Sequence, residues 1–191
     1  SCTESRGMTI IATVGLPGSG KGEFARVAAE HGITVVSMGD VIRAVCEDRG
    51  VDPATGHGMI ARAIREEDGP TAVADRAVPY VAEALADAAV VVIDGLRSPE
   101  ELATFEEAFQ TEEIILVAIE APFDLRAERL AGRSRDSTDV DIEALRNREA
   151  REAGFGMTTL IDTADITIEN TGTLTAFEAS IEQHIAAHMD P

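Results

Sequence analysis

Cysteine is scarce in this chain of 191 residues, which has only Cys2 and Cys46. Two cysteines cannot form the disulfide framework of a small secreted domain, and no Cys-x-x-Cys pair or Cys/His cluster suggests a metal site. We therefore expect a protein of the reducing cytoplasm. The length corresponds to about one domain, which is large enough to bury a substantial apolar core without cross-links.

Long apolar runs are also missing. No stretch approaches the roughly 20 apolar residues that a membrane-spanning helix needs, and the polar residues 1–7 do not have the pattern of a secretion signal. We expect no membrane association, and we interpret residues 1–7 as an N-terminal tail or cloning remnant with Met8 as the natural start. Residues 8–190 then form a single domain.

Positively charged residues are also few. Lys and Arg number 16 against 35 Asp and Glu, which gives a net charge of −19, and Lys21 is the only lysine. A surface this acidic repels phosphate wherever cations are not gathered, which argues against a nucleic acid partner. The same composition is typical of proteins from salt-loving microbes, in which salt screens the repulsion between carboxylates; an ordinary acidic protein is the alternative. Any phosphate site must therefore be built locally.

The chain does contain a regular alternation of strand-like and helix-like segments. Short β-branched runs such as Thr9–Val14 are typical of strands buried on both faces, and helical patterns follow them. This order predicts an α/β fold with a five-stranded parallel sheet, whose ligands bind beyond the carboxyl ends of the strands. We expect residues 51–69 to protrude as a mobile insertion around a weaker helix. Strands are predicted at 9–14, 33–36, 89–93, 114–119 and 165–169, and the main helices at 22–31, 40–49, 71–88, 98 onward, 122–131, 142–153 and 174–188.

The first predicted strand leads into a glycine-rich segment that matches G-x-x-x-x-G-K. Glycines there let backbone N–H groups turn toward an anion, the helix that follows adds its positive end, and Lys21 can reach the β- and γ-phosphates of a nucleotide. The position of the single lysine argues against a glycine-rich turn without a ligand. Gly22 replaces the Ser or Thr that usually contacts Mg²⁺, so carboxylates elsewhere must hold the metal. The predicted nucleotide-binding residues are Gly15, Pro17, Gly18, Ser19, Gly20, Lys21, Gly22 and Glu23.

This loop resembles that of adenylate kinase and related nucleoside monophosphate kinases, and the likeness continues along the chain. Residues 38–43 resemble the acceptor-binding G-D-x-[LI]-R of those kinases, and residues 94–97 resemble their D-G-x-x-R. Residues 129–133 resemble the R-L-x-G-R that opens their lid, and residues 164–172 look like the last strand and base-contacting loop of dephospho-CoA kinases. The chain looks closest to an archaeal family of predicted nucleotide kinases that shares P-G-S-G-K-G-E and D-G-[IL]-R-S-P-E-E.

The resemblance implies a P-loop NTPase fold, a three-layer α/β/α sandwich, with an acceptor-binding insertion at about 40–70 and a short lid at about 132–148. It implies ATP as the donor, Mg²⁺ as the cofactor and a small nucleotide as the acceptor. The implied catalytic residues are Lys21, Asp40, Asp94, Arg129, Arg133 and Arg148. The implied acceptor ligands are Asp40, Arg43 and Arg97; Asp94 and, through water, Asp40 would hold the metal; Asn170 and Gly172 would contact the donor nucleotide.

Asp40 separates two classes of acceptor. A phosphate acceptor is already anionic and needs no base, whereas a hydroxyl acceptor of the dephospho-CoA kind does need one. Asp40 could be that base, or it could cap its helix. We place a nucleoside monophosphate ahead of a hydroxyl acceptor. The third interpretation is an ATP-binding or ATP-hydrolysing switch, for which Arg43 and Arg97 would be dispensable.

Overall fold

The computed structural model describes residues 7–133 and 142–189. The strands in these residues are β1 Thr9–Val14, β2 Thr34–Ser37, β3 Val90–Asp94, β4 Glu113–Glu120 and β5 Ile166–Glu169. The helices are α1 Lys21–Glu30, α2 Met38–Asp48, α3 Pro53–Asp68, α4 Ala72–Asp87, α5 Pro99–Ala108, α6 Phe123–Arg133, α7 Ile142–Gly154, α8 Met157–Asp162 and α9 Leu174–Met189. Residues 1–6 of the predicted tail and residues 134–141 of the predicted lid lie outside the described residues.

The five strands form one parallel sheet in the order β2-β3-β1-β4-β5, which confirms the predicted α/β architecture. Successive residues of β1 point to opposite faces, and both faces are buried. Ile10 packs into a core with residues of α2, α3, α4 and α8, whereas Ile11 packs against α1 and α9. Two apolar cores on one sheet give the three layers, and the carboxyl ends of the strands share one edge.

The predicted protrusion at 51–69 is wrong, because α3 is a continuous helix that packs into the main core. Asp52 caps its first turn, accepting from the N–H of Ala54 at 3.0 Å, and Pro53 stands at the first helical position. Ile60, Ala61 and Ile64 are buried in the same core as β1. Packing of this apolar face overrides the helix-weakening glycines in the segment.

The six-residue helix α8 was not predicted from the sequence, and a turn at residues 155–156 separates it from α7. Gly156 makes that turn in a left-handed conformation, and α8 begins at the next residue. Leu160 of α8 is fully buried against the sheet. A helix of fewer than two turns is too short to show a periodic apolar pattern. Among the described helices, none has the length and apolar character to cross a bilayer.

Candidate functional site

The segment from Gly15 to Gly22, which we call the phosphate loop, joins β1 to α1 at the carboxyl edge of the sheet. Gly20 caps α1 in a left-handed conformation, with φ of 105° and a position that leaves no room for a side chain. A Cβ there would lie 2.5 Å from Asn170 Nδ2 and 2.8 Å from the ring of Phe177. The loop lines a cavity of about 360 Å³, the first cavity. A helix beginning directly behind such a loop directs its free N–H groups toward an anion.

Three side chains from distant parts of the chain donate hydrogen bonds to backbone carbonyls of the phosphate loop. Asn170 is buried and donates through Nδ2 to the carbonyl of Ser19 at 2.8 Å. Arg129 donates to the carbonyl of Gly18 at 3.3 Å and to that of Asn170 at 2.6 Å. Arg126, which the sequence did not single out, is also buried and donates to the carbonyl of Pro17 at 3.3 Å. These contacts hold the loop in shape.

The first cavity has features that suit the binding of an anion. Ser19 Oγ is buried at its edge and, within the described residues, makes no hydrogen bond. Buried hydroxyls are nearly always paired, so a phosphate oxygen or water in the cavity would complete this one. A Cβ added at Gly22 would meet nothing within 4 Å, which leaves the start of α1 open.

Asp94 lies beside Lys21 in the lining of this cavity. Its carboxylate accepts from Thr13 Oγ1 at 2.8 Å and lies 3.4 Å from Lys21 Nζ. Within residues 7–133 and 142–189, no group of three or more His, Cys, Asp or Glu residues is arranged to hold a metal ion. Mg²⁺ binds through one or two carboxylates, substrate phosphates and several waters, so a single aspartate beside the phosphate loop suits it.

Three arginines, Arg65, Arg97 and Arg148, also line the first cavity, and we call them the arginine cluster. Two buried glutamates hold them. Glu152 lies 3.7 Å from Arg97 and accepts from Arg148 Nε at 3.4 Å. Glu101 accepts from Arg65 Nη2 at 3.4 Å and from the backbone N–H of Arg97 at 3.2 Å. The cluster thus presents guanidinium groups of fixed orientation.

Burial dominates the electrostatics of this cluster. It lowers the pKa of Arg97, an effect that Glu152 partly offsets and that Arg65 and Arg148 reinforce. It also raises the pKa of Glu101, against the opposing influence of Arg65 and the Arg97 N–H. Charges removed from water in this way are costly unless an opposite charge meets them. An anion entering the cavity would therefore be strongly attracted to the arginines.

The predicted site residues are brought together only in part. Lys21, Asp94, Arg97 and Arg148 line the first cavity with the phosphate loop. Asp40 and Arg43 pair with each other at 2.7 Å on an exposed face of α2 and line no part of that cavity. The remaining placements are these: Glu23 accepts from Arg26 Nε at 2.8 Å on α1, Gly172 lies exposed between β5 and α9, and the side chain of Arg133 is outside the described residues.

Arg65, Glu101 and Glu152 were not predicted from the sequence, although a signal existed for two of them. Arg65 directly follows Ile64 at the edge of the apolar stripe of α3, so it lies beside the core. Glu101 stands three residues after Ser98, the spacing of a capping box, and Ser98 Oγ does accept from the Glu101 N–H at 3.2 Å. Nothing in the sequence connects these residues with each other.

Comparison with known proteins agrees with this geometry. A family model described as an AAA domain matches residues 14–146, which include the phosphate loop and Asp94. A UPF0200 protein of Halobacterium salinarum is 50% identical over 180 residues, which cover 94% of each chain. The chain belongs to the UPF0200 family. The family is represented in archaea, and this confirms the resemblance drawn from the motifs.

Solved structures similar to this UPF0200 member share its fold. The protein TT1252 of Thermus thermophilus has a TM-score of 0.65 at 20% identity, covering 95% of this chain and 98% of its own. Shikimate kinase from Acinetobacter baumannii, in complex with shikimate, has a TM-score of 0.54 at 20% identity and covers 97% of both chains. The fold is therefore that of P-loop kinases.

Proposed function

We propose that this chain is an ATP-dependent phosphotransferase that moves the γ-phosphoryl group of ATP to a nucleoside monophosphate-like acceptor. One observation carries the proposal: a single cavity is lined both by the phosphate loop with Lys21 and by the arginine cluster. Phosphoryl transfer requires donor and acceptor to be aligned and their charge neutralised, and little else from the protein. A cavity with one set of cations for each partner meets that requirement.

The roles of the residues follow from their positions. Lys21 and the backbone of the phosphate loop hold the β- and γ-phosphates. Asp94 would hold Mg²⁺, which when bound neutralises charge on the phosphates. The bond between the γ-phosphorus and its bridging oxygen breaks, a bond to an acceptor oxygen forms, and ADP leaves. Arg148 would neutralise the negative charge that spreads over the oxygens of the γ-phosphoryl group, and Arg97 would bind the acceptor phosphate.

The position of Asp40 favours a phosphate acceptor over a hydroxyl acceptor. Asp40 lies on the exposed face of α2 and pairs with Arg43, so it is not placed to take a proton from a group inside the first cavity. A phosphate acceptor has an anionic oxygen at neutral pH and needs no such base. The arginine cluster supplies the cations that this acceptor requires.

The proposal is tested by measuring ADP release from Mg·ATP in molar KCl, with and without AMP, CMP, GMP, UMP and dephospho-CoA. We expect one nucleoside monophosphate to stimulate ADP release, and Lys21→Ala to lower the stimulated rate by at least about 100-fold. Arg26→Ala is the matched control, because Arg26 lies on the same helix but pairs with Glu23 and Glu178 at the surface.

Other outcomes of the same assay identify the alternatives. Stimulation by dephospho-CoA alone would indicate that the acceptor group is a hydroxyl and not a phosphate. Turnover that depends on Lys21 but is indifferent to every acceptor would indicate an ATP-hydrolysing switch and contradict the proposal.

We also propose that the protein works in concentrated salt, in a reducing cytoplasm. A net charge of −19 and the 50% identity to a Halobacterium salinarum relative support this. Salt screens the repulsion between carboxylates, so Tm is expected to rise between dilute buffer and molar KCl. An unchanged Tm would contradict this proposal.

A further inference from the structure

A second and larger cavity, of about 870 Å³, adjoins the first and shares the arginine cluster and Glu152 with it. Its walls come from α3, from the loop before α5 and from the end of α7. The arginine cluster therefore lies where the two cavities meet. A ligand in the second cavity would therefore meet the γ-phosphoryl group of a nucleotide in the first at the arginine cluster.

The second cavity is unusually rich in arginine for so acidic a chain. Among the described residues that line it, five are arginines and four are glutamates, an excess of one positive charge. The whole chain has only 15 arginines and a net charge of −19. Two of the four glutamates, Glu101 and Glu152, are already bonded to arginines of the cluster. The arrangement favours an anion where the general surface repels one.

Arg43, the residue that the sequence motif indicated for the acceptor phosphate, is on the wrong side of its helix. Gly39 and Ile42 face the first cavity, whereas Arg43 bonds Asp40 at the exposed surface. Arg65 of α3 lines both cavities instead, with only 16% of its side chain exposed. Glu101 fixes Arg65 and the backbone of Arg97 together through its two carboxylate oxygens.

The outer wall of the second cavity carries an exposed aromatic ring. Phe155 is 52% exposed and lies beside Arg65, whose guanidinium carbon is 5.9 Å from the ring centroid. Exposed aromatic rings next to a cationic group are suited to contact the base of a nucleotide whose phosphate the cation binds. His57, Gly58 and Ala61 continue the wall.

We propose that the second cavity is the acceptor site, with Arg65 acting beside Arg97 as the ligand of the acceptor phosphate in place of Arg43, and with Phe155 against the acceptor's base. This assignment rests on the proposed function for the identity of the acceptor. The arginine site itself binds a phosphate whether or not transfer follows.

The test compares variants by calorimetric titration of the full chain, with the phosphate loop filled by a non-hydrolysable ATP analogue. The probes are inorganic phosphate and the four nucleoside monophosphates. We expect Arg65→Ala to raise the Kd of both kinds of probe at least tenfold, and Phe155→Ala to raise only that of the nucleoside monophosphate. Arg49→Ala is the matched control, because Arg49 bonds Glu67 at 2.7 Å and lines neither cavity. Its Kd values should stay within twofold of the wild type.

Steady-state kinetics give a second readout. Arg65→Ala should raise the acceptor KM far more than the ATP KM, and Arg65→Lys should recover part of the loss. If Arg65→Ala does not fold, as judged by its thermal unfolding, Arg65→Gln keeps a donor for Glu101 and removes only the charge.

Two outcomes separate this inference from the proposed function. If a nucleoside monophosphate is phosphorylated and its KM responds to Arg43→Ala but not to Arg65→Ala, the inference is overturned and the proposed function stands. If no nucleoside monophosphate binds the wild type, the proposed function fails. The titration with inorganic phosphate then tests the arginine site by itself. Weaker phosphate binding in Arg65→Ala would then support the site, and equal binding would overturn it.

Discussion

The phosphate loop surrounds its cavity with eight consecutive residues, whereas the arginine cluster draws one residue each from α3, the loop before α5 and α7. The first region is made largely of backbone, with glycines that admit a ligand and one lysine. The second is made of long side chains that buried glutamates hold in place. Local sequence is enough to specify the first region, but only the packing of distant helices can specify the second.

The two regions also differ in how they are stabilised. Buried contacts from Asn170, Arg126 and Arg129 hold the phosphate loop through its backbone carbonyls. The arginine cluster depends on charge pairs in a partly desolvated cavity, where each ion is costly without its partner. Substitutions in the phosphate loop should therefore act by changing the shape of the loop. Substitutions in the arginine cluster should act by changing charge, so their effects should depend on pH.

The largest effect is expected from Gly20→Ala. The new Cβ would meet Asn170 and Phe177 at under 3 Å on a backbone with φ of 105°. Strain and overpacking together should lower the free energy of unfolding by about 2–4 kcal/mol and abolish ATP binding. Chemical denaturation and nucleotide titration measure both. Gly22→Ala is the matched control, because nothing lies within 4 Å of its Cβ; an equal loss of stability there would show that loop shape is not the determinant.

Asn170→Ala should have the next largest effect. It removes the donor to the Ser19 carbonyl, a buried bond of 2.8 Å between residues 151 positions apart. Leaving that carbonyl without its partner should cost about 1–3 kcal/mol of unfolding free energy and weaken ATP binding. Gln110→Ala, which removes an exposed side-chain bond to Glu107, should change stability by less than about 0.5 kcal/mol. Similar losses in both variants would contradict a special role for Asn170.

Glu101→Gln should produce the smallest effect, which appears as a change in pH dependence. Burial raises the folded-state pKa of Glu101 above its ordinary value of 4.5, so the folded state binds the proton more tightly than the unfolded state. Its contribution to stability is fully present below pH 4.5 and is lost as the pH rises through the folded-state pKa. Unfolding free energies should be measured from below pH 4.5 to above the folded-state pKa of Glu101. The wild type should lose stability over this pH range, and Glu101→Gln should not.

Glu67 provides the opposite sign for comparison. Its hydrogen bond from Arg49 lowers its pKa, so its contribution is present above pH 4.5 and is lost as the pH falls through the lowered value. The difference in unfolding free energy between the wild type and Glu67→Gln should therefore change with pH in the opposite direction to that for Glu101→Gln. If the Glu101→Gln difference is constant with pH, the interpretation of Glu101 as a buried charged group is wrong.

Much of the fold could be predicted because its signals are local. The β-branched runs predicted all five strands to within two residues at each end. The helix predicted from residue 98 onward is α5, which Ser98 caps by accepting from the Glu101 N–H. The failures were α8, which is too short for a periodic pattern, and α3, whose glycines suggested weakness. Burial of the apolar face formed by Ile60, Ala61 and Ile64 stabilises α3 by more than its glycines destabilise it.

The motif that predicted Arg43 shows why the acceptor end was harder. Resemblance assigns a role to a position, but the rotation of α2 decides where its side chain lies. Met38, Ile42 and Cys46 are buried in the core, and this spacing orients Arg43 away from it.

The sequence by itself determined the alternation of strands and helices and the position of the phosphate loop at the carboxyl edge of the parallel sheet, because both depend on neighbours in the chain. Only the tertiary structure added Arg65 to Arg97 and Arg148 in the first cavity and excluded Arg43 from it. Arg65 and Glu101 are 36 positions apart, and Arg97 and Glu152 are 55 apart. Such contacts depend on how whole helices dock, and no local pattern encodes that geometry.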